Sequence, residues 1–370
     1  MKRRITLIAL AFVGVFAGTA LAAFVSSTST GVNTFTTRAV ASRPVISGTR
    51  ITTDPTCAAG SPADTLRQGA DFYVCVNSIT DTAGVASATA DVSGADGDTS
   101  TPLFTTGGPY SGYQYRSNAI KADAPLETGT SGAWSVQATN VNGDKSTSSG
   151  LTYNIRSYTG MMLGEFGGSA TSTVTQYYHL SDTGTTAANI GTGGTATGTY
   201  TGTPTRRVTG AIVGSTDGAV QLNGTTDYIS VPRRTTIGAD YTLEIWVKGT
   251  ATSGSGPGTV WSDSAGLIDA GTTANANDFG VAVDATGRIV AGCGNAGSTI
   301  RSAAGVLSDA DWHHVVFTRT RTTGAIALYI DGTSVATSTA CNTTNQTGST
   351  TVYFGRSHES GLYLAATLDA

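Results

Sequence analysis

Apolar and polar positions alternate along much of this chain. In "DFYVCVNSI", Phe72, Val74 and Val76 fall on one face and Tyr73, Cys75 and Asn77 on the other, the two-residue period of a half-buried strand. "TDTAGVASATADVSG" sets Val85, Ser87, Thr89 and Asp91 against Ala86, Ala88, Ala90 and Val92 after a turn. "GAWSVQATNVNGDKS" closes on the turn-forming pair Asn142-Gly143. Further on come "AVQLNGTTDYISVP", "YTLEIWVKG", "GRIVAGCG", "DWHHVVFTRT", "AIALYIDGTSVAT" and "TVYFGRS", separated by Gly, Asp, Asn and Thr turns. No helical period of useful length intervenes. The pattern predicts an all-β chain with a small sandwich over residues 44–156, a Gly/Ser/Thr-rich linker over 157–175 and an antiparallel two-sheet sandwich over 176–370.

"DWHHVVFTRT" holds two of the four histidines and is the first place to look for chemistry. As a strand it places Trp312, His314, Val316 and Thr318 on one face and His313, Val315 and Phe317 on the other. Both sets carry large apolar groups, which predicts a central strand covered on both sides. His313 and His314 then point apart and cannot ligate one metal. His179 and His358 lie near the two ends of the segment, and no HExxH-type spacing joins any pair. The expected role is structural, with the imidazoles hydrogen-bonded in or beside the core.

Composition narrows the function classes. Charged residues make up 12% of the chain and glycine 48 of its 370 residues, which disfavours long helices. The net charge of −4 comes with no basic cluster, so no nucleic-acid partner is expected. The aspartates of "DVSGADGDT", Asp91, Asp96 and Asp98, lack the alternating ligand frame of a calcium loop and read as a solvated turn. The N-terminus joins a basic "MKRR" to an apolar stretch from Ile5 to Ala17 and a small-x-small step at Ala20-Leu21-Ala22. This predicts a signal peptide over 1–22 and a polar linker over 23–43. The apolar stretch is short for a membrane span, so a retained membrane anchor is the lesser alternative. Export to the cell surface or medium makes disulfides the natural state of the four cysteines. Of the three connectivities, Cys57–Cys75 and Cys293–Cys341 keep each bridge within one domain.

Several of these words resemble known families. "AAFVSSTSTGVNTFTT" resembles the start of camelysin and of certain biofilm-matrix proteins. "YVCVNSITDTAGVASATADV" and "WSVQATNVNGD" resemble bacterial immunoglobulin-like domains, which act as spacers or adhesion modules. The six strand words from "AVQLNGTTDYISVP" onward, in that order, resemble the LamG-like jelly roll of the concanavalin A-like lectin/glucanase fold. Trp312, His313, His314, Asp331 and Gly332 are its structural markers here. Relatives continue past the strand that ends this chain, so the resemblance implies a C-terminally truncated sequence with an unpaired edge near "QYYHLSD".

The resemblance implies a binding module for carbohydrate or for an extracellular or surface protein, acting through loops at the sandwich edge. Where similar domains hold calcium, the matching positions are Asn189 and Asp369. Asn189 lacks the usual charge, and Ala370 stands where a Glu is common. Aromatic platforms for a sugar would come from Tyr200, Trp261 or Tyr363. Glucanases of this fold carry a Glu-x-Asp-x-x-Glu element, and Glu244 in "YTLEIWVK" has no carboxylate at the required spacings. The expectation is therefore a secreted or surface-attached, non-catalytic binding and adhesion protein. A purely structural matrix component is the alternative, and a glycoside hydrolase stands third.

Overall fold

The computed structural model describes residues 42–59, 65–110, 112–123, 130–163, 174–234, 239–272, 277–294 and 298–370. The expected signal peptide, and all but two residues of the linker after it, lie outside the described residues. The described chain is all-β apart from single turns of helix at Ser93–Asp96, Tyr158–Met161 and Trp261–Asp263.

Two sheets form the first sandwich. One runs Val45–Thr52, Asp71–Thr80, Tyr113–Arg116, Phe104–Tyr110, with Ile120–Lys121 also paired to Asp71–Thr80. The other runs Thr65–Arg67, Lys145–Arg156, Thr130–Asn140, Val85–Asp91, Thr101–Pro102. Phe72, Val74 and Val76 bury against Leu66, Trp134, Val136, Tyr153 and Ile155 from the opposing sheet. Cys57 and Cys75 are bridged, with Cα atoms 6.0 Å apart. The acidic stretch after Asp91 forms a local turn. Asp91 accepts from the Ser93 N–H at 3.1 Å and Asp96 from the Asp98 N–H at 2.8 Å.

The second sandwich pairs an eight-stranded with a seven-stranded sheet. The first runs Thr186–Ala187, Gly198–Thr201, Tyr228–Pro232, Thr351–Phe354, Ala265–Asp269, Phe279–Val283, Ile289–Cys293, Ile300–Arg301. The second runs Thr205–Thr209, Gly218–Gln221, Thr367–Asp369, Tyr241–Lys248, Trp312–Thr320, Ala325–Ile330, Thr333–Ser338. Ile229, Val231, Phe279, Val281, Val315, Phe317 and Leu328 meet in one core between them. Cys293 is bridged to Cys341, with Cα atoms 5.8 Å apart.

The strand Trp312–Thr320 is interior to its sheet, but only one of its faces is covered. Val315, Phe317 and Arg319 are buried, whereas Trp312, His314, Val316 and Thr318 keep partial exposure. The expectation of cover on both sides is corrected here. Among the described residues no third layer of strands faces this sheet, and the Trp312 side meets solvent and a single helical turn.

Arg319 continues the inward period into the core at 2% exposure. Its Nε donates to Cys341 Sγ at 3.1 Å, and its terminal nitrogens donate to the carbonyls of Ala239, Asn342 and Thr344 at 2.8, 2.7 and 2.6 Å. A buried charge is tolerated when its donors are all satisfied, and here one side chain staples three loop carbonyls. Arg319→Leu preserves bulk but orphans those carbonyls. It is expected to lower stability by about 3 kcal/mol in urea titrations, and a loss under about 1 kcal/mol would contradict this role.

Candidate functional site

In the strand Tyr228–Pro232, Ile229 and Val231 turn inward at 0% and 2% exposure, which sends Tyr228 and Ser230 outward. The neighbouring strand Thr351–Phe354 buries Val352 and directs Tyr353 outward, opposite Ser230. The chain then loops back, and Tyr363 forms a bridge with Arg356. Three half-exposed tyrosines are thereby gathered on the outer face of the eight-stranded sheet. Tyr228 meets Tyr353 edge-on at 5.2 Å and Tyr363 at 6.2 Å. The Arg356 guanidinium lies among them, 5.1, 5.2 and 5.4 Å from the rings of Tyr228, Tyr353 and Tyr363. His358 stacks on Tyr353 at 4.0 Å and its Nε2 contacts the Thr351 carbonyl at 3.1 Å. Burial, then the charge of Arg356, depresses His358, while the Thr351 contact works in the opposite sense.

Of the three sequence-derived platform residues, only Tyr363 joins this cluster. Trp261, at 1% exposure, is corrected to a core residue. Its indole lies flat over strand glycines: a Cβ on Gly280 would come within 2.4 Å of it and one on Gly292 within 2.5 Å. With Ala282 and Val290 it forms a separate small core that roofs this part of the outer face. Tyr200 is corrected likewise. It is 6% exposed, and its hydroxyl donates to Asp182 at 3.0 Å. Tyr228, Tyr353, Arg356 and His358 were missed from sequence. Their signal was the alternation of Tyr with core Ile and Val in "TDYISVP" and "TVYFGRS".

Asn189 and Asp369 do not share a ligand shell. Asn189 Oδ1 accepts from the N–H groups of Tyr177 and Gly191 at 2.9 and 3.0 Å, and its Nδ2 donates to the carbonyls of Thr175 and Gly194. Asp369 instead accepts from the N–H groups of Ala211 and Ala370 at 2.7 and 2.9 Å. Asn189 uses its amide as a loop staple. Among the described residues no group of three His, Cys, Asp or Glu is placed to hold a metal ion.

Asp369 lines a cleft of about 310 Å³ with Gln68, Tyr158, Thr159, Tyr177, His179 and Asp217. Burial pushes Asp369 up to about 6. His179 is held between Asp217 at 2.7 Å and Thr159 at 3.0 Å. The Tyr158 hydroxyl donates to Glu244 at 3.0 Å and accepts from the Trp246 indole at 3.1 Å. The cleft is thus a hydrogen-bonded seam between the helical turn Tyr158–Met161 and the second sandwich.

The paired histidines fall on opposite faces. His314 Nε2 contacts Glu244 at 2.8 Å, with its ring stacked on Trp246. His313 sits between Asp331 at 2.8 Å and Asp309 at 3.2 Å. Burial opposes its charge, but the hydrogen bonds to Asp331 and Asp309 outweigh that and raise it. Asp331 and Gly332 both take positive φ, 51° and 76°, forming the tight turn that brings Asp331 back to the histidines.

Beside the tyrosines, Asp269 pairs in register with Tyr353 and is fully buried. One carboxylate oxygen accepts from the Gly271 N–H at 2.7 Å, and burial pushes the group up to about 7 against the backbone hydrogen bonds of Gly271 and His358. The ordinary value is 3.8, so between about pH 4 and 7 the folded chain holds a proton that the unfolded chain releases. Stability from this group therefore falls as pH rises through that window. Asp269→Asn is expected to gain thermal midpoint over wild type from pH 4 to pH 8, with little difference at pH 4. A constant difference across that range in differential scanning fluorimetry would refute the assignment.

No curated protein matches this chain. Among solved structures, a domain of the extracellular arabinanase AbnA from Geobacillus stearothermophilus, in complex with arabinotriose, is 16% identical. That match covers 53% of this chain and 89% of that one, with a TM-score of 0.38. A botulinum neurotoxin type C structure concerned with ganglioside interaction is 12% identical over 53% of this chain and 46% of that one, with a TM-score of 0.38. The binding domain of Paraclostridial Mosquitocidal Protein 1 is 13% identical over 53% and 47%, with a TM-score of 0.38. This chain thus spans less than half of either toxin chain. Residues 223–370, which contain the tyrosine cluster, match the family model of the concanavalin A-like lectin/glucanases superfamily.

Proposed function

We propose that the protein is a secreted or surface-attached, non-catalytic binding protein. An immunoglobulin-like sandwich over 44–156 presents the concanavalin A-like sandwich of 176–370, which takes a carbohydrate ligand on its outer face. The observation that carries this reading is the cluster of Tyr228, Tyr353 and Tyr363, three half-exposed rings within 6.2 Å of a shared member. Sugar rings present apolar C–H faces and a rim of hydroxyls, which match phenol rings that combine apolar area with a polar edge.

Two further observations support it. The disulfides Cys57–Cys75 and Cys293–Cys341 suit an oxidising, extracellular setting. Glu244, the carboxylate that a hydrolytic reading would need, is bonded to both His314 and Tyr158.

Tyr353→Ala and Tyr363→Ala are each expected to weaken binding about tenfold on an array of neutral and acidic saccharides. Tyr113→Ala, on the first sandwich, is expected to leave binding unchanged. Wild-type protein that gives no glycan signal but assembles with rising concentration would replace this reading with a structural matrix role.

A further inference from the structure

We infer that the tyrosine cluster is a subsite for a saccharide carrying a carboxylate, with Arg356 as the anion-recognising residue. This rests on the carbohydrate-binding reading above and deepens it. Arg356 is held by three rings and by nothing polar. Among the described residues no carboxylate pairs with its guanidinium, no oxygen accepts from it, and its Nε is buried without a partner. Arg319 shows what this chain does with a structural arginine: five donations, three of them to backbone carbonyls, satisfy it. Arg356 has none of these.

A guanidinium presents five N–H donors in a planar fork that matches a carboxylate with two parallel hydrogen bonds. Fixing that fork between aromatic faces removes much of the side-chain freedom that binding would otherwise cost. The tyrosines supply stacking area for the sugar ring that bears the acid. His358 adds an aromatic ring rather than a second charge, since burial and Arg356 depress it. Two carboxyl groups stand nearby in opposition. Glu359 is exposed on the same loop, and Asp269, buried on the strand beside Tyr353, is held up at about 7, which reduces its negative charge at neutral pH.

Uronic and sialic acids share the required chemistry, and paired probes separate them. Isothermal titration would compare trigalacturonic acid with its methyl ester, and 3′-sialyllactose with lactose. Wild-type protein is expected to bind the acid of one pair at least tenfold more tightly than its neutral partner, with the advantage shrinking as NaCl rises. Arg356→Gln is expected to bind acid and neutral forms alike, at the affinity of the neutral form. Arg356→Lys, which keeps charge but loses the fork, is expected to fall between, and it serves as the test variant if the glutamine variant does not fold. Equal wild-type affinity for acid and neutral partners would overturn the anion assignment while leaving carbohydrate binding intact. Binding that ignores Arg356→Gln or Arg356→Lys would do the same. No binding to either pair, with no signal on the wider array, would remove both readings.

Discussion

The pleat of the eight-stranded sheet is the constraint on which the rest depends. Successive side chains must point to opposite faces, so burying Ile229, Val231 and Val352 forces Tyr228, Ser230 and Tyr353 outward. Each inward aliphatic chain contributes roughly 1.5–3 kcal/mol. A one-residue slip would expose these residues and drive tyrosine hydroxyls into the core, an exchange costing several times that amount. The tyrosine face is thus fixed by the core behind it. The loop after Phe354 completes the cluster by returning Tyr363 to Arg356, and the cation among the rings then sets what the face can recognise.

The same outer face is divided by what covers it. Toward the strands Phe279–Val283 and Ile289–Cys293 it is lined by Gly280, Ala282, Val290 and Gly292, and this shallow surface lets Trp261 lie flat and shut out solvent. Asp269, at the margin between the roofed and open parts, loses its water and shifts toward neutrality. A carboxyl group buried in that position costs stability at neutral pH. Trp261 thus covers one part of this face, while Tyr228 and Tyr353 keep partial exposure on another.

Strand periodicity made the fold readable from sequence. The two-residue alternation in "DWHHVVFTRT" separated His313 from His314, and their contacts with Asp331 and Glu244 lie on opposite sides of the sheet. The site was less legible because loops assembled it. Tyr363, Trp261 and Tyr200 looked equivalent in one dimension, and only the approach of Trp261 to Gly280 and of Tyr200 to Asp182 distinguishes them. Cover on both faces was expected of Trp312–Thr320 because Trp312 and Val316 are large and apolar. Size along one strand does not reveal whether another layer exists, and the Trp246–His314 stack partly shields that face in its place.

Arg319 and Arg356 illustrate why residue type alone could not locate the site. One ends an inward strand period, where burial demands acceptors, and the loop carbonyls of Ala239, Asn342 and Thr344 supply them. The other follows an outward tyrosine by three residues, where rings compensate its charge without occupying its donors. Cation–π attraction acts on the face of the guanidinium and hydrogen bonding on its rim, so the two demands do not compete. An arginine held by rings alone keeps its N–H donors for an oxyanion. The tyrosine cluster is thereby both apolar and positively charged, although the chain as a whole carries a net charge of −4.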